Sequence, residues 1–216
     1  FGPWTFGQSI YPAAAHMFRT FVAAADSQSI VLGDRIPWDQ VDRVILLHAG
    51  SDLQSDIRQG SKEAIPSFTI GVADTDAVVL RDIVTPGDSM ILDRATLIPE
   101  TSNQDGYYAT NNGVITHECG HLFFGFADLY DTQTGLPTVG LWSLMDSGNL
   151  VGAPVLTAGG EELFATGLLP PSIDPFQRFY ATDALTFPEL EGGDTLTAAS
   201  GQRSPDMFKV RLSSDD

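Results

Sequence analysis

The amino-acid sequence predicts an α+β fold in two lobes, with a mixed sheet and helices in the upper lobe and irregular loops in the lower one. Helix-like and strand-like segments fill residues 1–125, whereas Gly and Pro become frequent further on. The length of 216 residues fits one domain with a substantial core. We expect a single domain over 1–216, with an upper lobe at about 1–125 and a lower lobe at about 126–185. A β-rich end follows at about 186–216, and its final strand would pair with residues beyond the chain.

The first predicted element is a helix over Ala13 to Ala25 that ends near Asp26. Alanine has the highest helix propensity, and the larger apolar side chains of this segment are placed to face a core. These apolar residues are Met17, Phe18, Phe21 and Val22.

The sheet of the upper lobe is predicted from several short apolar segments. Val41 to His48 becomes a continuous apolar run that ends at Ala49 and Gly50, which is typical of a central strand covered on both faces. Further strands are predicted at Ser67 to Val72, Ala77 to Leu80 and Ser89 to Leu92.

A second helix is predicted over Val114 to Phe124, after a polar, turn-rich segment and before the helix-breaking Gly125. The second half is predicted to consist mostly of loops. Its expected regular elements are a helix around Pro175 to Ala181 and strands at Asp194 to Thr197 and Met207 to Leu212.

The charge balance restricts the classes of partner. The chain has 28 acidic residues against 11 Lys and Arg, a net charge of −17. A field of this sign repels phosphate groups and anionic lipids, so we expect neither a nucleic acid nor a membrane surface as a partner. The content of 43% hydrophobic and 18% charged residues indicates a packed protein, and no apolar run is long enough to predict a membrane span.

The helix over Val114 to Phe124 contains the pattern His-Glu-x-x-His at His117, Glu118 and His121. Residues four apart lie on one helical face, so both imidazoles can reach a single ion, while Glu118 can contact a water bound to that ion. Zinc peptidases use this arrangement, with a carboxylate that takes a proton from the water and passes it to the leaving amine. We therefore predict a zinc site with Glu118 as general base and acid.

The third ligand has to come from beyond the helix. Gly125 can adopt the left-handed conformation that ends a helix and reverses the chain, and Asp128 lies three residues further on. The rival ligands are Glu161 and Glu162, which lie 40 and 41 residues after His121, as in a thermolysin-like arrangement.

The run from His117 to Asp131 resembles the Asp-ended zinc signature of the metzincin clan, and most closely that of the immune inhibitor A-type (cowrin) metallopeptidases. Leu141 to Gly148 resembles the Met-turn of that group, which implies that Met145 forms a hydrophobic floor under the metal rather than plain core. Two flanking segments also resemble the group: Asp42 to Gly50 and Pro171 to Tyr180.

The chain departs from that group by one residue. Gly125 and Asp128 stand eight and eleven residues after His117, where the group has seven and ten. An added helical residue rotates the chain by about 100° and advances it by about 1.5 Å, unless a wider or tighter last turn absorbs it. Glu161 and Glu162 therefore remain alternatives to Asp128.

Further residues have weaker functional signals. Donors to the oxyanion of the reaction could come from Tyr107, Tyr108 or Tyr130. Asp131 either anchors a turn through backbone N–H groups or joins loop acids such as Asp105 in a structural calcium site, a cofactor that rests on composition and resemblance alone. Structural roles are expected for Cys119, His16 and His48.

We conclude that the sequence predicts a zinc-dependent endopeptidase that acts on protein or peptide substrates. The alternatives are a metal-bearing binding module with weak or lost catalysis and a zinc hydrolase of non-peptide substrates, because the His-Glu-x-x-His pattern fixes the metal chemistry but not the substrate. The acidic surface and the resemblance predict a secreted or cell-envelope protein. The sequence does not predict an oligomeric state.

Overall fold

The computed structural model describes residues 11–56, 58, 60, 64–71, 78–81, 89–106, 108–181, 189–190 and 209–210. In these residues the chain forms an α+β fold with three α-helices: α1 (Tyr11–Leu32), α2 (Asn112–Phe124) and α3 (Pro175–Ala181). The strands are β1 (Val44–Ser51), β2 (Phe68–Gly71), β3 (Val78–Arg81), β4 (Ser89–Leu92), β5 (Arg94–Thr101), β6 (Ala153–Leu156), β7 (Glu162–Ala165), β8 (Glu189–Leu190) and β9 (Lys209–Val210). The predicted α+β class is confirmed, and the division into two lobes stays a prediction.

Helix α1 extends beyond its predicted end near Asp26 and reaches Leu32. The hydroxyl groups of Ser27 and Ser29 donate to carbonyl groups one turn earlier, so these polar residues are accommodated within the helix. The helix ends at Gly33, which has a φ of +72°. The N–H of the following residue, Asp34, donates to the carbonyl of Ser29, as in a Schellman motif.

The main sheet is mixed and has the strand order β1-β5-β2. β1 is parallel to β5, and β2 is antiparallel to it. The central position belongs to β5, whose residues from Ala95 to Pro99 are all buried. The prediction of β1 as a central strand covered on both faces is therefore wrong, because Ile45 and Leu47 on β1 are 44% and 67% exposed.

The remaining strands form small two-stranded sheets. β3 pairs with β4, and β6 pairs with β7 in a hairpin within the segment that was predicted to be mostly loops. β8 and β9 form a short parallel pair, so a part of the predicted strand over Met207 to Leu212 is present. Its partner in the described residues is β8, and not a segment beyond the chain as expected. The strand predicted at Asp194 to Thr197 lies outside the described residues.

The core lies between α1 and the main sheet. Ala14, Phe18 and Val22 of α1 pack with buried residues of the strands, among them Ile70 and Ala95. A second, smaller apolar cluster consists of Phe126, Leu144 and Met145. Within the described residues, no helix combines the length and the apolar character that a membrane span requires.

Candidate metal centre and cleft

Helix α2 places His117 and His121 on one face, one turn apart, as the sequence predicts. Their Nε2 atoms are 3.1 Å apart, and the two rings meet edge to face. Gly120 lies between them on the helix and leaves space for Met145, because a Cβ atom at Gly120 would lie 2.7 Å from the Met145 Sδ. The helix can therefore pack directly on Met145.

The end of α2 accommodates the residue that is inserted relative to the metallopeptidase signature. Gly125 has a φ of +67°, and its N–H donates to the carbonyl of His121. The N–H of Phe126 donates to the carbonyl of Gly120, six residues earlier and 3.3 Å away. A Schellman motif spans one residue less, so the extra residue is taken up in a wider turn.

This turn brings Asp128 to the two histidines. Asp128 Oδ1 lies 3.1 Å from His117 Nε2 and 3.0 Å from His121 Nε2. Among the described residues, these three side chains form the group of His, Cys and acidic residues that could hold a metal ion. Glu161 and Glu162 are exposed at the β6–β7 hairpin and do not belong to this group.

The hydrogen bonds of the two imidazoles fix which nitrogen faces the group. His117 Nδ1 lies 2.9 Å from the carbonyl of Leu144, and His121 Nδ1 lies 2.5 Å from the carbonyl of Phe126. Because a carbonyl only accepts, both Nδ1 atoms carry hydrogen, and in the neutral rings the Nε2 lone pairs converge with Asp128 Oδ1. A cation placed between them would interact favourably with all three acceptors.

The spacing of the three donor atoms fits zinc. Tetrahedral zinc with bonds of 2.0–2.1 Å separates its ligand atoms by about 3.3 Å. The three separations found, 3.0 to 3.1 Å, are close to this value. Nitrogen and carboxylate donors are also the types that zinc prefers.

The electrostatics of the group favour a bound cation. Burial opposes ionisation of Asp128, but the adjacent imidazoles of His117 and His121 outweigh it and hold the pKa of the carboxyl well below its usual range. Burial lowers the pKa of His121, but the Asp128 carboxylate and the Phe126 carbonyl outweigh this effect and raise it. An ionised carboxylate is thus kept beside the His121 imidazole, which has an increased affinity for positive charge.

Glu118 is buried beside this group and is held by a residue of the sheet. Its Oε2 accepts a hydrogen bond of 2.8 Å from Thr69 Oγ1 on β2, which also lies 2.7 Å from Thr96 Oγ1 on β5. Burial raises the pKa of Glu118, and the charge of His117 and the hydrogen bond from Thr69 partly offset this rise. Thr69 and Thr96 were not predicted, because only the strand pairing brings them next to α2.

Met145 is fully buried and lies beneath α2, where the resemblance places a Met-turn. The preceding carbonyl, of Leu144, accepts from His117. The following residue, Asp146, accepts hydrogen bonds at Oδ2 from three successive backbone N–H groups, of residues 138–140, and at Oδ1 from Ser147. The segment around Met145 is therefore fixed from both sides.

A cleft of about 380 Å³ opens beside these residues. It is lined by β2, by Glu118, His121 and Asp128, and by Arg94 and Tyr130. Burial and the charge of Asp128 raise the pKa of the Tyr130 hydroxyl, which keeps this side chain neutral and able to donate.

The other candidates from the sequence lie apart from this group or have structural contacts. Asp131 Oδ1 accepts from the backbone N–H of Gln133 and Thr134, which is the turn-anchoring arrangement, and Asp105 accepts from the N–H of Arg58. In the described residues neither joins a group that could hold a metal ion.

Five further residues considered from the sequence also lie outside the group of His117, His121 and Asp128 or outside the described residues. Burial, followed by the charge of Glu118, raises the pKa of the Cys119 thiol, which disfavours a reactive thiolate. His16 is exposed on α1, and His48 is buried near the end of β1. Tyr108 is half exposed and Tyr107 lies outside the described residues.

Comparison with known proteins identifies the family of the chain. The model of the immune inhibitor A peptidase M6 catalytic domain matches residues 33–164, more than half of the chain, and the match includes α2, Asp128 and Met145. No curated protein aligns significantly with the chain. The chain therefore belongs to the immune inhibitor A peptidase M6 family, the members of which are metallopeptidases.

Proposed function

We propose that the protein is a zinc-dependent endopeptidase that hydrolyses peptide bonds of protein substrates. The observation that carries this proposal is the convergence of His117 Nε2, His121 Nε2 and Asp128 Oδ1 within about 3 Å of one another, next to the buried carboxylate of Glu118. The family of the chain supports the peptidase class. An extracellular or cell-envelope location is a further part of the proposal, and the net charge of −17 supports it.

The zinc ion would be held by His117, His121 and Asp128. When bound, it supplies a Lewis acid that polarises the substrate carbonyl and lowers the pKa of a water molecule. The two imidazoles are oriented by the carbonyl groups of Leu144 and Phe126, and Met145 supports the helix that carries them.

Glu118 acts as general base and then as general acid. Its carboxylate takes a proton from the attacking water and delivers it to the nitrogen of the leaving amine. Burial raises its pKa, which makes the carboxylate a better base, and Thr69 holds the carboxylate in one orientation.

The substrate would lie along β2 as an additional strand. In the described part of the chain, β2 pairs only with β5, and residues Ser67 to Thr69 and Gly71 line the cleft. An extended peptide can hydrogen-bond to such an edge and cross the site in the cleft between the two predicted lobes. Tyr130 lines the same cleft and is a suitable donor to the developing oxyanion.

Hydrolysis of an unfolded protein such as casein tests the proposal. We expect peptide products by mass spectrometry, loss of their formation with a zinc chelator, and recovery when zinc is added back. Zinc binding without any cleavage would instead support a metal-bearing binding module. Cleavage of non-peptide esters or amides alone would support a zinc hydrolase of another class.

A further inference from the structure

We propose that Arg94 determines substrate specificity by binding an acidic side chain of the peptide, so that the enzyme prefers substrates with Asp or Glu at one fixed position near the cleaved bond. This inference rests on the proposed peptidase function. Arg94 is the first residue of β5 and lines the same cleft as Glu118, His121 and Asp128.

The strand register directs Arg94 towards the site. Arg94 pairs with Gly71 and Thr96 pairs with Thr69 in the antiparallel ladder of β2 and β5. Directly opposed residues share a face of a sheet, and residues two apart on one strand also share it. Arg94 therefore lies on the face of Thr69 and Thr96, and this is the face that contacts Glu118.

The residue opposite Arg94 leaves space for its side chain. Gly71 has no side chain, and a Cβ atom built at this position would meet nothing within 4 Å. The guanidinium can thus extend over β2 into the cleft. Arg94 lies two residues, roughly 7 Å, along the ladder from the Thr69–Thr96 pair. A substrate strand has the same rise per residue, so Arg94 would contact a substrate residue about two positions from the one beside Thr69.

The charge of Arg94 is available to a ligand. Within the described residues, no hydrogen bond or ion pair engages its guanidinium. The two acids of the centre already have partners, since Asp128 contacts both histidines and Glu118 accepts from Thr69. An arginine binds a carboxylate through two parallel hydrogen bonds, which a neutral amide cannot reproduce.

Because the net charge of the protein is strongly negative, the attraction of an acidic substrate residue depends on Arg94. At −17 the protein repels acidic peptides at long range, so a preference for an acidic residue has to come from a local cation. Arg94 supplies that cation next to the reacting groups. The preference is then expected at one position of the peptide and not as a general affinity for acidic sequences.

The test uses the zinc-loaded protein and a set of fluorogenic peptides in which one position at a time carries Glu or its neutral isostere Gln. The measured quantity is the ratio of kcat/KM for the Glu peptide over the Gln peptide. We expect a ratio of about 10 or more at one position for the wild type. Arg94→Gln should reduce the ratio to about 1, Arg94→Lys should retain part of it, and Arg94→Glu should favour Lys at that position.

Arg35→Glu is the control for Arg94→Glu, because both substitutions change the net charge by the same amount. Arg35 is exposed and does not line the cleft. It should keep the ratio of the wild type. A wild type that cleaves the peptides with a ratio near 1 at every position, or an Arg94→Glu variant that keeps the preference for Glu, overturns the proposal for Arg94 alone. A wild type that cleaves none of the peptides overturns the proposed function, and the specificity with it.

Discussion

Thr69 Oγ1 lies 2.8 Å from Glu118 Oε2 and joins the edge strand of the sheet to the carboxylate proposed as general base. The same hydroxyl lies 2.7 Å from Thr96 Oγ1. A hydroxyl has one proton to donate and an ionised carboxylate only accepts, so Thr96 donates to Thr69 and Thr69 donates to Glu118. The strand that would bind substrate therefore also orients the base.

Replacing Thr69 tests this role. Thr69→Val preserves the shape of the side chain but removes the donor, which leaves a buried carboxylate oxygen without its partner at a cost of about 1–3 kcal/mol. We expect kcat to fall by about tenfold or more, with a smaller change in KM, because each 1.4 kcal/mol of barrier is about tenfold in rate. Thr69→Ser keeps the hydroxyl and should restore most of kcat. Steady-state kinetics on one peptide decide the question, and a Val variant with the kcat of the wild type would show that the hydrogen bond does not orient Glu118.

The position of Asp128 predicts that it, and not Glu161 or Glu162, completes the zinc site. Competition with a chromogenic chelator measures the zinc affinity of each variant. Asp128→Ala should weaken zinc binding by on the order of 100-fold or more, since even residues that only support a ligand contribute 10- to 100-fold. The double variant Glu161→Ala/Glu162→Ala should bind zinc like the wild type because both side chains are exposed at the β6–β7 hairpin. An unchanged affinity in Asp128→Ala would exclude Asp128 as a ligand.

Asp146 predicts a dependence of stability on pH. Burial opposes its ionisation, but backbone N–H groups, among them those of Gly140 and Val139, outweigh burial and hold the pKa below its ordinary value of 3.8. A carboxylate with a lowered pKa in the folded state stabilises the fold above its unfolded pKa, and this contribution is lost as the pH falls through the folded pKa. Asp146→Asn should therefore reduce the free energy of unfolding by about 1.5–3 kcal/mol at neutral pH.

The difference in the free energy of unfolding between the wild type and Asp146→Asn should become smaller as the pH falls below 3.8. Urea unfolding of the metal-free proteins between pH 3 and pH 7 measures it, and the subtraction removes the contributions of the other acids. A difference that stays constant over this range would show that the carboxylate charge does not stabilise the segment around Met145.

The parts of the centre that depend on local sequence could be predicted. Helix α2 forms as expected, and the spacing of His117 and His121 alone places them on one face. The sequence alone did not decide whether Asp128 reaches His117 and His121, because one residue is inserted before Gly125. The structure shows that the wide turn from Gly120 to Phe126 accommodates the inserted residue.

The parts that depend on strand pairing could not be predicted. β5 contains Pro99, which cannot donate a ladder hydrogen bond, and its central place follows from pairing with both β1 and β2. The contact of Thr69 with Glu118 joins residues 49 positions apart, and it depends on the register of β2 against β5. The hydrophobic pattern of a strand indicates which of its faces is buried but not which strand is its partner, so Thr69, Thr96 and Arg94 were all missed.

The central claim is that Glu118 moves the proton while His117, His121 and Asp128 hold zinc. The measurement that tests it most directly is the zinc content and the casein hydrolysis rate of one preparation of Glu118→Gln. Gln has nearly the shape of Glu but cannot take a proton, so zinc should remain near stoichiometric while hydrolysis falls by at least about 100-fold. A zinc-loaded Glu118→Gln protein that hydrolyses casein at the rate of the wild type would contradict the claim.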